Sequence, residues 1–152
     1  ICYGDMKRAD TKGIVHSPGA ITDFVCYKNI PCHQTCFYKS TMFDERAYDT
    51  RYPVRADYEH FLYCIYDKKA TSVYVPVIVC LYEGKGFSET KEHLKMAAKE
   101  HAVITKKYIG NKSILYRALM IITLQPVRKF MADSPVFSGF YRGIQGLIYG
   151  RR

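Results

Sequence analysis

The sequence lacks any apolar run that could cross a bilayer. Its longest uncharged apolar stretch, residues 118–127, is about half of the roughly 20 residues that a transmembrane helix needs. It also lacks internal repeats and low-complexity tracts, and its 152 residues are 48% hydrophobic and 24% charged. This composition is typical of a globular domain with one core. The sequence therefore excludes a membrane-spanning helix, a repeat array and a disordered chain.

Paired metal-binding cysteines are missing as well. None of the six cysteines belongs to a Cys-x-x-Cys pair, and most lie within apolar or aromatic runs, as buried free thiols usually do. This cysteine pattern leads us to expect a reducing compartment. No signal peptide is visible, although a missing N-terminus would hide one. Cys32-His33 with Cys36 is the nearest approach to a zinc site, but a second Cys/His pair at matching spacing is lacking. A zinc centre is therefore disfavoured.

Acidic residues are scarce in the last part of the chain. Residues 1–90 carry 11 Lys/Arg and 11 Asp/Glu, whereas residues 91–152 carry 12 Lys/Arg and 3 Asp/Glu and supply the whole net charge of +9. This asymmetry predicts an anionic partner for the tail. Charge alone leaves a phospholipid surface and nucleic acid both open.

Hydrophobic periodicity predicts a mixed α/β chain. Residues 1–6 are typical of a strand end, and the clearest helix of the first half starts near Ala56. Its apolar residues recur at i, i+3, i+4 and i+7: Tyr58, Phe61, Leu62 and Ile65. The β-branched runs 72–75 and 77–82, divided by Pro76, predict two strands, the second of them interior.

The tail, residues 91–152, reads as a series of amphipathic helices. The first helix has Ser88 as its N-cap and ends at Gly110, the second covers residues 113–124, and the third begins near Ser134. Arginine and lysine flank their apolar faces, which suits helices that lie in a membrane interface. The alternative is that these helices cap the preceding domain and present a solvated basic face. The expected domain boundary is at residue 90.

Three segments in order carry a family resemblance. Residues 30–38 read Ile-Pro-Cys-His-Gln-Thr-Cys-Phe-Tyr, and residues 48–59 contain Tyr-Asp-Thr-Arg-Tyr followed by Val-Arg-Ala-Asp-Tyr-Glu. Residues 81–88 read Leu-Tyr-Glu-Gly-Lys-Gly-Phe-Ser. This order resembles the second half of family-2 glycosyltransferases, notably those of bacterial surface polysaccharides. There a His-Gln-x-x-Phe strand precedes a Tyr-Asp…Ala-Asp-Tyr-Asp helix start and a Gly-Gly-x-Ser loop. The resemblance covers residues 1–90 and continues weakly into the tail.

The resemblance implies a Rossmann-like GT-A fold, in which the first half binds the nucleotide and a divalent cation through an Asp-x-Asp motif. This chain contains no Asp-x-Asp and begins at Ile1. We therefore expect a partial GT-A domain that lacks its N-terminal nucleotide-binding half and is inactive alone. The Mg or Mn ion of the intact enzyme would be ligated mostly by residues outside this chain, so no metal ligand is assigned here.

Asp57 stands where the family places its catalytic base. An inverting transfer needs one carboxylate to take the proton of the attacking hydroxyl. A helix N-terminus would keep the Asp57 carboxylate ionised and aimed, although the same dipole lowers its basicity. On spacing alone, an ordinary helix N-cap is the favoured interpretation, and the resemblance reverses that preference.

Other substrate contacts also follow from the resemblance. His33 and Gln34 are expected to line the cleft as hydrogen-bonding groups, or else to be satisfied by backbone at a strand end. Glu59 occupies a position where the family often has Asp. It is expected to contact the acceptor or supply a supporting hydrogen bond, with a solvent-facing carboxylate as the alternative.

Three further residues complete the predicted site. Lys85 and Ser88 belong to a glycine-containing loop that could close over the diphosphate, although Lys85 replaces a common family Gly. Gly84 and Gly86 could instead form a plain turn. The Tyr-Gly-Asp at residues 3–5 is similar to the strand that follows the family's metal-binding motif. Asp5 is therefore expected either to face the nucleotide or simply to end its strand.

The sequence as a whole indicates part of an inverting glycosyltransferase. The expected substrates are a nucleotide-sugar donor and a lipid-linked or polysaccharide acceptor. The expected location is the cytoplasmic face of the cell membrane, on an anionic surface. The alternative is a non-catalytic basic module. Nucleic acid is not expected as a partner, because the basic residues are dispersed along helices and no aromatic-plus-glycine RNA-binding signature is present.

Overall fold

The computed structural model describes residues 1–83 and 91–122, which form a mixed α/β structure. Contacts divide the chain into two units, Ile1–Ser113 and Ile114–Arg152, whereas the sequence predicted a boundary at residue 90. The elements in chain order are β1 (Cys2–Arg8), β2 (Ile14–Val15), α1 (Asp23–Lys28), β3 (Cys36–Phe37), α2 (Ala56–Tyr66), β4 (Val73–Tyr82), α3 (Lys91–Ile109) and α4 (Lys112–Ile122).

The sheet is organised around β1. One edge of β1 pairs antiparallel with β3 near Cys2 and with β2 near Met6, and β4 pairs with β1 in parallel. The backbone nitrogen of Ile1 donates to the Thr71 carbonyl at 2.7 Å, next to the start of the parallel pair. Cys36 and Phe37 form the short strand β3.

β4 differs from the prediction of two strands divided by Pro76. It is one strand, and Pro76 lies in a bulge where the single residue Gly4 of β1 faces three residues of β4. A bulge tolerates proline because the missing N–H is not required by the ladder there. Among the described residues β4 pairs only with β1, and Val77, Ile78 and Leu81 are half or more exposed. The prediction of an interior strand is therefore wrong.

The predicted helix at Ala56 is confirmed as α2, which is the buried centre of the first unit. Every residue from Tyr58 to Cys64 is buried, including the predicted core residues Phe61 and Leu62. α3 packs against α2 and α1. The core therefore surrounds α2 on more than one side, and the start of α2 is held rigidly.

α1 was not predicted, although its end signals are present. The Thr22 hydroxyl accepts a hydrogen bond from the Val25 N–H at 3.2 Å, and Asp23 and Lys28 complement the two ends of the helix dipole. The Asp23 carboxylate also binds Lys112 at 2.6 Å and accepts from the Tyr66 hydroxyl at 2.8 Å. This short helix is therefore stabilised by tertiary contacts.

The predicted tail helices are confirmed where the structure describes them, as α3 and α4. None of the described helices has both the length and the hydrophobicity needed to cross a bilayer. The loop with Lys85 and Ser88 and the predicted third helix near Ser134 lie outside the described residues.

Gly4 should be intolerant of any side chain. A Cβ there would stand 2.6 Å from Val79 Cγ2 and 2.7 Å from the Val77 carbonyl oxygen. Overpacking of this kind costs about 1–3 kcal/mol. We expect Gly4→Ala to lower the free energy of unfolding by that amount in urea titrations. Gly19→Ala is the matched control, since no atom lies within 4 Å of its added Cβ. Equal stability of the two variants would contradict the bulge geometry.

Candidate functional site

A cleft of about 680 Å³ opens at the start of α2. It is lined by residues 29–34 and 53–58, together with Tyr48, Tyr82, Leu94 and Ala97. A volume of this size is within the range of small-molecule sites. Asp57, His33 and Gln34, predicted from separate segments of the sequence, all lie on its wall.

The start of α2 is positioned by a carboxylate from another helix. Arg55 is the N-cap residue of α2 and makes no side-chain cap of its own. Instead Oε2 of Glu100, on α3, accepts hydrogen bonds from the N–H groups of Val54 at 3.2 Å and Arg55 at 2.8 Å. Free N–H groups at a helix start need such acceptors. The bond therefore fixes the segment that carries Asp57 relative to α3.

Asp57 is half-buried at the cleft wall. Its Oδ1 accepts from the Tyr58 N–H at 2.7 Å, and no other described group binds the carboxylate. Burial, followed by the negative charge of Asp57, raises the pKa of the nearby Tyr48 hydroxyl. The cleft thus combines a carboxylate that has spare acceptor capacity with a phenol that stays protonated at neutral pH.

His33 and Gln34 reach the cleft because a 3₁₀ turn, His33–Thr35, precedes β3. Thr35 is fully buried and its hydroxyl donates to the Cys32 carbonyl at 2.8 Å, which holds the turn. The two residues before it consequently stay exposed. Gln34 Oε1 accepts only a long contact, 3.9 Å, from the Cys80 thiol. Both side chains keep hydrogen-bonding capacity for a ligand.

Asp5 is not part of this cleft. It lies within β1, is 4% exposed, and accepts hydrogen bonds from the Ser17 N–H at 2.8 Å, the Tyr74 hydroxyl at 2.9 Å and His16 Nδ1 at 2.7 Å. Burial raises the pKa of Asp5, but these bonds outweigh it and hold the pKa below its usual value. Neither expectation for Asp5, a group facing the nucleotide or a strand end, fits this interior position.

Glu59 does not line the cleft either. Its side chain is fully buried and binds Arg46, Lys107 and the Tyr108 hydroxyl, with 2.9 Å between Oε1 and the Lys107 ammonium. Burial raises the pKa of Glu59, but the bonds from Tyr108, Arg46 and Lys107 outweigh it and lower the pKa. The solvent-facing alternative is wrong. Glu59 ties α2 to α3 and to the segment before α2.

A metal centre is not formed by the residues described. Within residues 1–83 and 91–122, no three His, Cys, Asp or Glu side chains converge to hold an ion. All six cysteines are free. Burial, followed by the neighbouring Cys32, raises the pKa of Cys36 to about 12. Lys85 and Ser88 lie outside the described residues.

Three residues of the site were missed as functional candidates. Tyr48 and Arg55 both lie inside the segments that carry the family resemblance, so their positions were a usable signal. Glu100 had no such signal. It lies on the predicted tail helix, and its 45-residue separation from Arg55 is closed only by tertiary folding.

His60 lies one turn after Asp57 in an aromatic enclosure. Its ring stacks on Phe43 with 4.3 Å between centroids, and the Tyr48 ring contacts its edge at 5.2 Å. The side chain is fully buried, and neither ring nitrogen has a hydrogen-bond partner in the described part of the chain. Burial, followed by the charge of Arg46, lowers the pKa of His60. The folded protein therefore holds His60 neutral.

Comparison with known proteins gives no match: no family model, no curated protein and no solved structure is significantly similar to the chain.

Stability should fall as the pH drops below about 6.5. There the unfolded chain protonates His60, whereas the folded state, with its lowered pKa, does not. Each such histidine costs up to about 1.4 kcal/mol per pH unit until its folded pKa is reached. His60→Phe should reduce this slope in urea titrations between pH 7.5 and 5.5. His101, whose pKa burial also lowers, should supply the slope that remains. An unchanged slope in His60→Phe would contradict the neutral buried ring.

Proposed function

We propose that this chain is the acceptor-side part of an inverting glycosyltransferase with a GT-A fold. It would transfer a sugar from a nucleotide-sugar to a hydroxyl during cell-surface polysaccharide or glycolipid synthesis. The observation that carries the proposal is the position of Asp57. Its half-buried carboxylate lies on a cleft of about 680 Å³ that His33 and Gln34 also line. The family resemblance is the reason for proposing this reaction, and the cleft is the region in which we propose that the acceptor binds.

The reaction is an in-line displacement. The acceptor oxygen attacks C1 of the donor sugar, and the bond from C1 to the diphosphate oxygen breaks with inversion. The nucleoside diphosphate leaves with that electron pair. Asp57 takes the proton of the attacking hydroxyl, which becomes more acidic as the new bond forms. A base of modest strength is sufficient when the proton moves late.

The remaining cleft residues orient the acceptor. His33 and Gln34 offer ring nitrogen, amide and carbonyl groups for sugar hydroxyls, and Tyr48 offers a protonated phenol beside Asp57. The rings of Tyr48 and Tyr82 give apolar surface for a sugar face. Holding the attacking hydroxyl in one orientation lowers the entropic cost of the transition state.

Two components of the reaction are assigned outside the described residues. We assign the nucleotide and its divalent cation to the donor-binding half that the family resemblance implies. Lys85 and Ser88 remain candidates for contacts to the diphosphate. No step of the mechanism above depends on a metal ligand from the part of the chain that the structure describes.

Asp57→Asn should reduce transfer by about 100-fold or more, the usual contribution of a general base. The assay measures sugar transfer by a polypeptide that carries both the donor-binding half and this chain. Because Asn keeps the shape but cannot accept the proton, kcat should fall while nucleotide-sugar affinity stays within a few-fold.

Asp67→Asn is the matched control, because it removes an exposed carboxylate at the opposite end of α2. Its transfer rate should equal that of the unmodified enzyme. Activity of Asp57→Asn within a few-fold of that rate would exclude Asp57 as the base.

A second role, docking on an anionic membrane, is favoured by α3. Four exposed lysines follow one stripe of this helix, and none has an ion-pair partner among the described residues: Lys91, Lys95, Lys99 and Lys106. The stripe is about 22 Å long at 1.5 Å per residue, and Val103 beside it is 57% exposed. Aligned cations next to apolar surface complement a layer of anionic lipid headgroups.

Neutralising the stripe should release the protein from anionic vesicles. The variant replaces all four lysines of the stripe, Lys91, Lys95, Lys99 and Lys106, with Gln. Its binding is measured by co-sedimentation with vesicles that contain phosphatidylserine. Each lysine contributes up to about 1 kcal/mol, so binding should weaken at least tenfold. Changing Lys7, Lys12, Lys39 and Lys69 to Gln alters the net charge equally and should have little effect. Equal losses in both variants, or tighter binding to RNA than to vesicles, would exclude the membrane role.

A further inference from the structure

Arg55 is a cleft-lining cation without a carboxylate partner. It lines the same cleft as Asp57, and none of the ion pairs among the described residues includes its guanidinium. Arginines elsewhere in the first unit are paired in three cases: Arg8 with Asp10, Arg46 with Glu59, and Arg51 with Asp49. Arg55 thus keeps its charge available on the wall of the cleft.

Arg55 is also held in place. Its N–H donates to Glu100 at 2.8 Å, and its guanidinium lies over the Tyr58 ring, 5.4 Å from the centroid. That ring is itself fixed, because Tyr58 is 3% exposed and its hydroxyl donates to the Cys26 carbonyl at 2.6 Å. Stacking leaves the edge of the guanidinium, with its N–H donors, free to bind. A preorganised cation loses little entropy when it binds an anion.

The cleft carries charges of both signs only two residues apart. Asp57 would repel an anionic ligand, and Arg55 is the one lysine or arginine among the described residues of the cleft wall, so its charge can offset that repulsion. If the acceptor were neutral, the partly buried guanidinium of Arg55 would have no anionic partner in the cleft. An acceptor with its own negative charge near the reacting hydroxyl would satisfy both groups.

We infer that Arg55 binds an oxyanion of the acceptor, so that the acceptor is an acidic saccharide. The shared chemistry is a carboxylate or a phosphate, supplied by a uronic acid or by a phosphorylated sugar. The planar guanidinium binds either group through two parallel N–H···O bonds. This inference rests on the proposed function for its choice of a saccharide, although the oxyanion site itself depends only on the cleft.

The test is binding of small probes to the whole 152-residue chain, followed through backbone amide signals in NMR titrations. The probes are glucuronate, inorganic phosphate and, as the neutral comparison, glucose. Glucuronate or phosphate should shift the amides of residues 54–58, and glucose should bind at least tenfold more weakly. The stronger of the two anions identifies the source of the oxyanion. Shifts confined to the lysines of α3, or equal affinity for glucose, would overturn the inference.

Substitutions make the test specific to the guanidinium. Arg55→Gln should weaken binding of the preferred anion about tenfold or more, the usual effect of losing a bidentate charged pair. Arg55→Lys, which keeps the charge but loses the fork, should be intermediate. Arg51→Gln is the matched control, because Arg51 pairs with Asp49 and does not line the cleft. Unchanged anion affinity in a folded Arg55→Gln protein would overturn the inference.

The oxyanion site and the transferase activity can fail separately. Asp57→Asn should retain or tighten anion binding, because it removes a repulsive charge without touching Arg55. If anion binding requires Arg55 but sugar transfer does not require Asp57, the proposed transferase mechanism is excluded and the oxyanion site at Arg55 is supported. If Asp57→Asn abolishes transfer but no anion binds at Arg55, the transferase proposal is supported and the inference of an acidic acceptor is overturned.

Discussion

The hydrogen bonds from the backbone of Val54 and Arg55 to the carboxylate of Glu100 are the constraint on which the site depends. They join the first turn of α2 to α3. The burial of α2 from Tyr58 to Cys64 then fixes the direction in which that turn points. Because Arg55 and Asp57 belong to the same turn, one helix–helix contact places both charges on the cleft.

The charged side chains near the start of α2 and in β1 differ in whether their hydrogen-bonding capacity is already used within the fold. Glu59 and Asp5 are buried, and each has at least three hydrogen-bond partners, so their acceptor capacity serves the fold. Asp57 and Arg55 are partly exposed at the cleft and retain unused capacity. Burying an ionised group is tolerated only when its bonds are satisfied. Unlike Glu59 and Asp5, the two charges at the cleft wall therefore retain capacity to bind a ligand.

Local signals predicted the elements with strong periodicity. The apolar spacing from Tyr58 to Leu62 predicted α2, and the long helix ending at Gly110 was predicted from its own apolar face and its glycine end. α1 was missed because it is only six residues long and depends on contacts of Asp23 with distant partners. β4 was divided at Pro76 because the sequence does not show that a bulge opposite Gly4 would accommodate the proline.

The sequence by itself determined the positions of α2 and α3, because apolar periodicity is a local property. The family resemblance of its short motifs also singled out Asp57, His33 and Gln34, and the structure places all three on one cleft. Only the tertiary structure decided that Glu59, two residues from Asp57, is an interior ion-pair partner, and that Glu100 holds the start of α2. The physical reason is that burial and pairing depend on groups far apart in the sequence: 45 positions separate Arg55 from Glu100, and 48 separate Glu59 from Lys107. Such distances along the chain leave no local pattern.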